Sequence, residues 1–276
     1  MLKAVDFFNL TSSPFQALFK ESNYVWEALK ELNPFLKEFI KPNMKSLDKY
    51  SPLVEKTIVL HEGDILDNGF QIDRSGKKPK VIYSGSVLEG ATIIYAGSYL
   101  MDDNLYFGKD VVVEPGALIS GPTYIGDRSE VRQGAYIRGN VLIGCECVVG
   151  HATEIKSSVM LGESKAGHFA YIGDSILGKV NLGAGTKLAN LKLIDSPVIL
   201  HIGKDSYETG LRKVGAIIGD GVETGCNSVT TPGTMLGKNT LLYPNTTARG
   251  YSSPGSIIKP AHNPKKIDLG SRRKEH

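Results

Sequence analysis

Aliphatic residues recur at every sixth position through the middle of the chain: Val113, Ile119, Ile125, Val131, Ile137, Ile143, Val149, Ile155 and Leu161. An α-helix repeats near 3.6 residues and cannot hold one six-residue register over such a length. Two-residue alternation does not explain it either, because the positions two places on are often Gly, Asp or Ser. Four places after the aliphatics stand small or β-branched residues: Ala117, Thr123, Ser129, Ala135, Val141, Cys147, Thr153 and Val159. Such a hexad is a short strand plus a turn. Three hexads close a triangular coil of about 18 residues, and its apolar positions are buried only when coils stack. The register slips after Leu161 and resumes at Ile172, Leu182, Leu188, Ile218, Thr224, Thr230, Leu236 and Leu242. The pattern predicts an all-β chain whose body is a parallel β-solenoid, opening with a coil at residues 81–94.

The flanking segments follow other rules. Residues 13–40 read as short amphipathic helices, with Asn23 as an N-cap and Val25, Leu29, Leu32 and Leu36 on one face. Asn33-Pro34 is expected to cap one helix and start the next. The organisation expected is a helical N-terminal cap over 1–50, irregular strands and turns over 51–80 with an exposed basic SGKKPK turn, and a solenoid over 81–258. An insertion near 191–212 interrupts the solenoid, and a polar tail occupies 259–276.

Composition narrows the class. Of 276 residues, 41% are apolar and 22% charged, with a net charge of +3, which excludes a disordered chain and a polycation and gives no reason to expect nucleic acid as a partner. No apolar run approaches the roughly 20 residues of a membrane span, and the N-terminus lacks the pattern of a secretory signal. Three cysteines are too few for a disulfide scaffold, so free thiols and a cytoplasmic setting are expected, with Cys147 filling an ordinary small core slot. The 31 glycines stand out beside one Trp: many backbone positions must tolerate no side chain.

The slip after Leu161 is where loops and chemistry are expected to collect. The sequence there runs EIKSSVMLGESKAGHFAYIGD over 154–174, then VNLGAGTKLAN over 180–190. The hexads resemble left-handed parallel β-helix acyltransferases. The combination SKAGH, YIGD and VNLGAGT is similar to the acetyltransferase domain of the bifunctional N-acetylglucosamine-1-phosphate uridyltransferase/glucosamine-1-phosphate acetyltransferase family, over about residues 120–245. Left-handedness, a homotrimer with sites between subunits, and acetyl-CoA as cosubstrate are implications of that resemblance. So are the roles: His168 as catalytic base, Arg138 and Lys156 holding a sugar phosphate, and Tyr171, Asn181 and Lys213 binding the sugar. Ala184, Asn190 and Cys226 would contact the coenzyme.

Those residue types suit the chemistry. A thioester is attacked by a neutral amine, and imidazole, with an ordinary pKa of about 6.5, can accept the proton an amino sugar must lose. A sugar 1-phosphate is an anion, which Lys and Arg can hold. Arg138 and Lys156 lie 18 residues apart and should stack one coil apart on the same side. No metal is required for this transfer. The favoured product line is UDP-N-acetylglucosamine.

Departures from the family remain. The chain shows no nucleotidyltransferase phosphate loop, so uridylyl transfer is not expected. The stretch between Tyr171 and Asn181 is one residue shorter, the family's C-terminal coenzyme arm does not align, and the insertion is expected to recast or lid the sugar pocket rather than support the fold. Two alternatives stand beside the favoured one. One is a non-catalytic sugar-nucleotide binding or assembly subunit. The other is a metal-dependent trimeric lyase, which would need histidines meeting at a subunit interface, and His151, His168 and His201 show no close pair in sequence.

Overall fold

The computed structural model describes residues 2–11, 13–44 and 51–260. Residues 261–276, most of the expected polar tail, and residues 45–50 lie outside them. The body is a parallel β-solenoid of about nine turns. Each full coil contributes one strand to each of three parallel sheets, called here the first, second and third faces. In one coil these are Glu130–Val131, Tyr136–Arg138 and Val141–Ile143. The aliphatic ladder fills the interior: Val113, Ile119, Ile125, Val131, Ile137, Ile143, Val149 and Ile155 have no exposed surface. The small-residue slots are also buried, Cys147 among them.

The slip falls earlier than the sequence pattern suggests. Ile143 stacks on Met160, not Leu161, and Val141 stacks on Ser158. The corner between the second and third faces is Gly139-Asn140 in one coil and Ser157 alone in the next, so the register shortens there by one residue. Leu161 is turned outward, where it packs against the N-terminal segment.

The solenoid starts later than expected. Residues 81–87 are not a coil: Lys80–Tyr83 pairs antiparallel with Phe70–Asp73 and with Ser86–Val87 in a separate three-stranded sheet. The first coil strand is Thr92–Ile94, and Ile58–His61 closes that end of the first face by pairing with it antiparallel. The small sheet packs on the outside of the first face around Val59, Val81, Ile93 and Tyr95. In the basic turn, Lys78 Nζ donates to the Arg128 carbonyl at 3.0 Å.

The N-terminal segment does not cap an end. It lies along the third face as a strap. Phe7, Phe8, Phe15, Trp26, Leu32 and Leu36 share one core with Leu142, Val159, Ile176, Ile217 and Met235, the outward residues of that face. Asp220 fastens it, its backbone N–H donating to the Phe7 carbonyl and its carboxylate accepting from the Asn9 N–H. The helix Ala28–Phe39 runs straight through Asn33-Pro34. Pro34 is exposed, and it leaves the carbonyl four residues earlier without its usual helical N–H donor. The turn Val25–Glu27 before the helix is closed by the Glu27 carboxylate, which accepts from the Asn23 and Tyr24 N–H groups, rather than by the Asn23 side chain.

The insertion supports this same core. It forms a hairpin, Ile199–Ile202 with Asp205–Glu208. Val198 and Leu200 are 1% and 3% exposed, and Tyr207 packs edge-on against Trp26. The expectation that the fold is independent of this segment is therefore corrected: the alternation of Val198, Leu200 and Ile202 is a buried strand face. The loop before it, with Leu193 and Ile194, stays in water. Among the described residues no helix is long and apolar enough to cross a membrane.

One glycine shows how tightly the coils stack. A Cβ on Gly150 would lie 1.8 Å from the Gly167 carbonyl oxygen in the next coil. Gly150→Ala is expected to cost about 1–3 kcal/mol through forced backbone displacement, read as a lowered urea midpoint. An unchanged midpoint would mean that the corner yields freely.

Candidate functional site

Turn geometry sets the positions of the candidate residues. His168 ends the strand Lys165–His168 at the corner between the first and second faces. Its carbonyl accepts from Gly185 N–H in the next coil, and the carbonyls of Ala184 and Cys226 accept in the same way from Asn227 and Asn245. His168, Ala184 and Cys226 therefore occupy equivalent positions on successive coils, a single column along one corner. His151 stands one coil earlier in that column, as the register partner of His168. Its Nδ1 lies 2.9 Å from the Gln133 carbonyl oxygen. The sequence offered no close histidine pair; the stacking of coils supplies one.

The residue after His168 is unusual. Phe169 sits at φ 54° and is 54% exposed, in a corner column where other coils use Gly134, Gly185 and Asn227 at positive φ. A bulky side chain in the left-handed region is strained. Its ring meets both histidines, with centroids 5.3 Å from His151 and 6.1 Å from His168.

The second face carries the basic residues. Ile137 pairs with Ile155, which puts Arg138 and Lys156 on the same edge in adjacent coils, as the spacing implies. Both cations already have carboxylate partners. Arg138 Nη1 is 2.8 Å from Glu154 Oε1, and Lys156 Nζ is 2.8 Å from Asp174 Oδ2. The hydrogen bond and charge of Glu154 push the Arg138 guanidinium further toward the protonated form. Asp174 also accepts a short hydrogen bond from Asn190 Nδ2, and Asn190 Oδ1 lies 3.4 Å from the Tyr171 hydroxyl. Lys156, Tyr171 and Asn190 thus meet in one polar cluster, wrapped around Gly173, where a Cβ would fall 2.7 Å from both Asn190 Nδ2 and the Tyr171 hydroxyl.

Other candidates stand apart. Asn181 is exposed on the first face, between Lys165 and Glu223 in the ladder. Lys213 bridges to Leu191 beyond Asn190 at the second-to-third corner. From His168 to the far edge of the second face is about 15 Å, the length of some five extended residues, so within one chain the imidazole and the cation cluster lie at opposite edges of a face. Sequence reasoning missed Glu154 and Asp174. Both were visible in the EIK and YIGD motifs, but nothing in a linear pattern says which acid meets which base.

The cysteines divide by burial. Cys147 is buried, Cys145 half-buried and Cys226 exposed. Burial pushes the Cys147 thiol up to about 12 from an ordinary 9.0. In native protein at pH 8, a disulfide reagent is expected to modify Cys226 first and Cys147 only after unfolding. The unfolded chain ionises Cys147 above about pH 9 and the folded chain does not, so this thiol lowers stability as pH rises from about 9 toward 12. Prompt native labelling of Cys147 would contradict that packing.

The fold and this corner define a hexapeptide-repeat parallel β-solenoid with a histidine and a cation cluster on adjoining surfaces. Residues 119–251, just under half of the chain, match the family model of the GMPPB C-terminal domain. The chain is 36% identical over 97 residues to a bifunctional sugar-1-phosphate nucleotidylyltransferase/acetyltransferase of Sulfurisphaera tokodaii, a match covering 35% of this chain and 24% of that protein. It is 43% identical over 86 residues to the bifunctional protein GlmU of Methanococcus maripaludis, covering 31% and 21%. The match therefore spans about a quarter or less of these relatives' length. Among solved structures it is similar to a perosamine N-acetyltransferase variant from Caulobacter crescentus in complex with CoA and GDP-perosamine, at 18% identity over 58% of this chain and 53% of that one, TM-score 0.27. A second is the polysialic acid O-acetyltransferase OatWY, at 12% identity over 64% and 95%, TM-score 0.26.

Proposed function

We propose that this protein moves an acetyl group from acetyl-CoA to the amine of an amino-sugar 1-phosphate, with glucosamine 1-phosphate the favoured acceptor, in the cytoplasmic synthesis of UDP-N-acetylglucosamine. The observation that carries the proposal is the SKAGH corner: an exposed imidazole at His168, in one column with Ala184 and Cys226 and beside a face bearing Lys156, Tyr171 and Asn190. In the reaction the neutral amine attacks the thioester carbonyl. The C–N bond forms, the C–S bond breaks, His168 takes the amine proton, and the coenzyme leaves as its thiol after reprotonation. Arg138 and Lys156 hold the phosphate side, held in turn by Glu154 and Asp174. Tyr171, Asn181 and Lys213 orient the sugar, and Ala184, Asn190 and Cys226 line the coenzyme.

A homotrimer with shared sites goes with this proposal. The third face is sealed by the chain's own strap, which leaves the second face and the part of the first beyond the small sheet for another copy. They leave apolar side chains in water, Tyr99 and Tyr136 on one and Leu241 and Ile257 on the other. Asn181 and the Lys156 cluster, on different faces of one chain, can meet only across two copies. Thiol release from acetyl-CoA, compared with glucosamine and galactosamine 1-phosphates as acceptors, tests the activity. No release with either acceptor would sink it.

One observation favours a second function. His151 and His168 stack as neighbours, and the Gln133 carbonyl holds His151 Nδ1 so that Nε2 is left for a ligand. With a third ligand from another copy this pair would suit a divalent metal of a lyase-type site. Tight, stoichiometric zinc retained by wild type and lost in His151→Ala would favour it over acetyl transfer.

A further inference from the structure

The chain Lys156, Asp174, Asn190, Tyr171 crosses the second face and its corner, and Asp174 is the member that joins Lys156 to the other two. Its position is fixed by the backbone: it turns the corner at φ 46°, donates its N–H to the Lys156 carbonyl at 3.1 Å and accepts from Gly215 N–H at 2.7 Å. Its side chain and that of Lys156 are each 16% exposed, so the pair is largely out of water. An ionised carboxylate only accepts hydrogen bonds. It therefore takes one N–H from the Lys156 ammonium and one from the Asn190 amide, both on the same oxygen. That contact decides which way the Asn190 amide faces, because its NH2 end must meet the carboxylate. The carbonyl end then faces Tyr171 and receives the hydroxyl proton, over a long 3.4 Å.

We infer that Asp174 is a positioning residue that sets the direction of every hydrogen bond in this cluster, so that Tyr171 presents an oxygen lone pair, and Lys156 its two remaining N–H groups, to the ligand of the second face. The inference rests on the proposed amino-sugar phosphate site: an acceptor at Tyr171 suits a sugar hydroxyl or ammonium, and the anchored lysine suits a phosphate. A methyl group at position 174 cannot do this. With no acceptor there, Lys156 loses its anchor, nothing holds the NH2 end of Asn190, and Tyr171 is free to point its proton at the ligand. A carboxamide restores the pattern: because both bonds fall on one oxygen, an Asn oxygen at 174 can accept from Lys156 and from Asn190 together.

The test compares wild type, Asp174→Ala and Asp174→Asn. KM and kcat are measured with glucosamine 1-phosphate, alongside NMR of the Asn190 side-chain amide protons in ligand-free wild type and Asp174→Ala. Asp174→Ala is expected to raise KM for the sugar phosphate about tenfold or more, the scale of one charge-assisted hydrogen bond, with kcat changed far less. Asp174→Asn is expected to recover most of it. The Asn190 amide protons should exchange slowly in wild type and rapidly in Asp174→Ala. An Asn variant no better than the Ala one, an Ala variant that loses only melting temperature, or fast amide exchange in wild type would each overturn the inference. If wild type shows no turnover, the acetyltransferase proposal fails by itself, and the amide exchange still decides what Asp174 does.

Discussion

His168→Ala is expected to lower kcat by roughly 10²–10⁴-fold, about 2.7–5.5 kcal/mol of barrier, if the imidazole takes the amine proton. Its side chain is exposed at a corner and makes no ring hydrogen bond among the described residues, so its removal leaves the ladder intact. The melting transition should stay near wild type. Sugar-phosphate binding should change little, because Arg138 and Lys156 sit on the second face, about 15 Å across from the corner. The separating measurement is kcat per folded molecule. A folded variant that acetylates at the wild-type rate removes His168 from the mechanism and brings the non-catalytic binding subunit forward.

Trp26→Ala should cost about 3–5 kcal/mol of stability, as large aromatic truncations in a packed core do. Trp26 is 2% exposed, stacks on Tyr24 at 4.6 Å between ring centroids, and meets Tyr207 of the inserted hairpin at 6.0 Å. It thus joins the strap to the insertion, and both to the third face. The same structure makes replacement of 192–211 by a short Gly-Ser turn destabilising, because Val198, Leu200 and Thr209 leave the core with it. Denaturant titration of Trp26→Ala, followed by far-ultraviolet circular dichroism, measures the effect. A loss under about 1 kcal/mol would mean that the strap contributes little to the fold. Acetyl transfer by the surviving folded protein should be unaffected, since the third face carries none of the proposed site.

Much of the candidate site is legible in the sequence. SKAGH placed His168, and the spacing of Arg138 and Lys156 placed both on one edge, because a coil returns to the same point after a fixed number of residues. The same arithmetic failed at Leu161. A corner shortened from Gly139-Asn140 to Ser157 moves every later residue by one, and turn length is not written in the hydrophobic pattern.

The sequence by itself determined the solenoid, its buried ladder and the stacking of Arg138 over Lys156, because each follows from contacts between equivalent positions of successive coils. Only the tertiary structure decided the rest. The helical leader lies along the third face instead of over an end, since Leu142, Val159 and Ile176 need a cover that no hexad supplies. The insertion became part of that cover. Asp174 and Glu154 became partners of Lys156 and Arg138, and His151 came to stand beside His168. The strap and the insertion join segments with no fixed relation in the repeat, and the ion pairs and the histidine pair form between adjacent coils, where corner length and side-chain reach choose the partner.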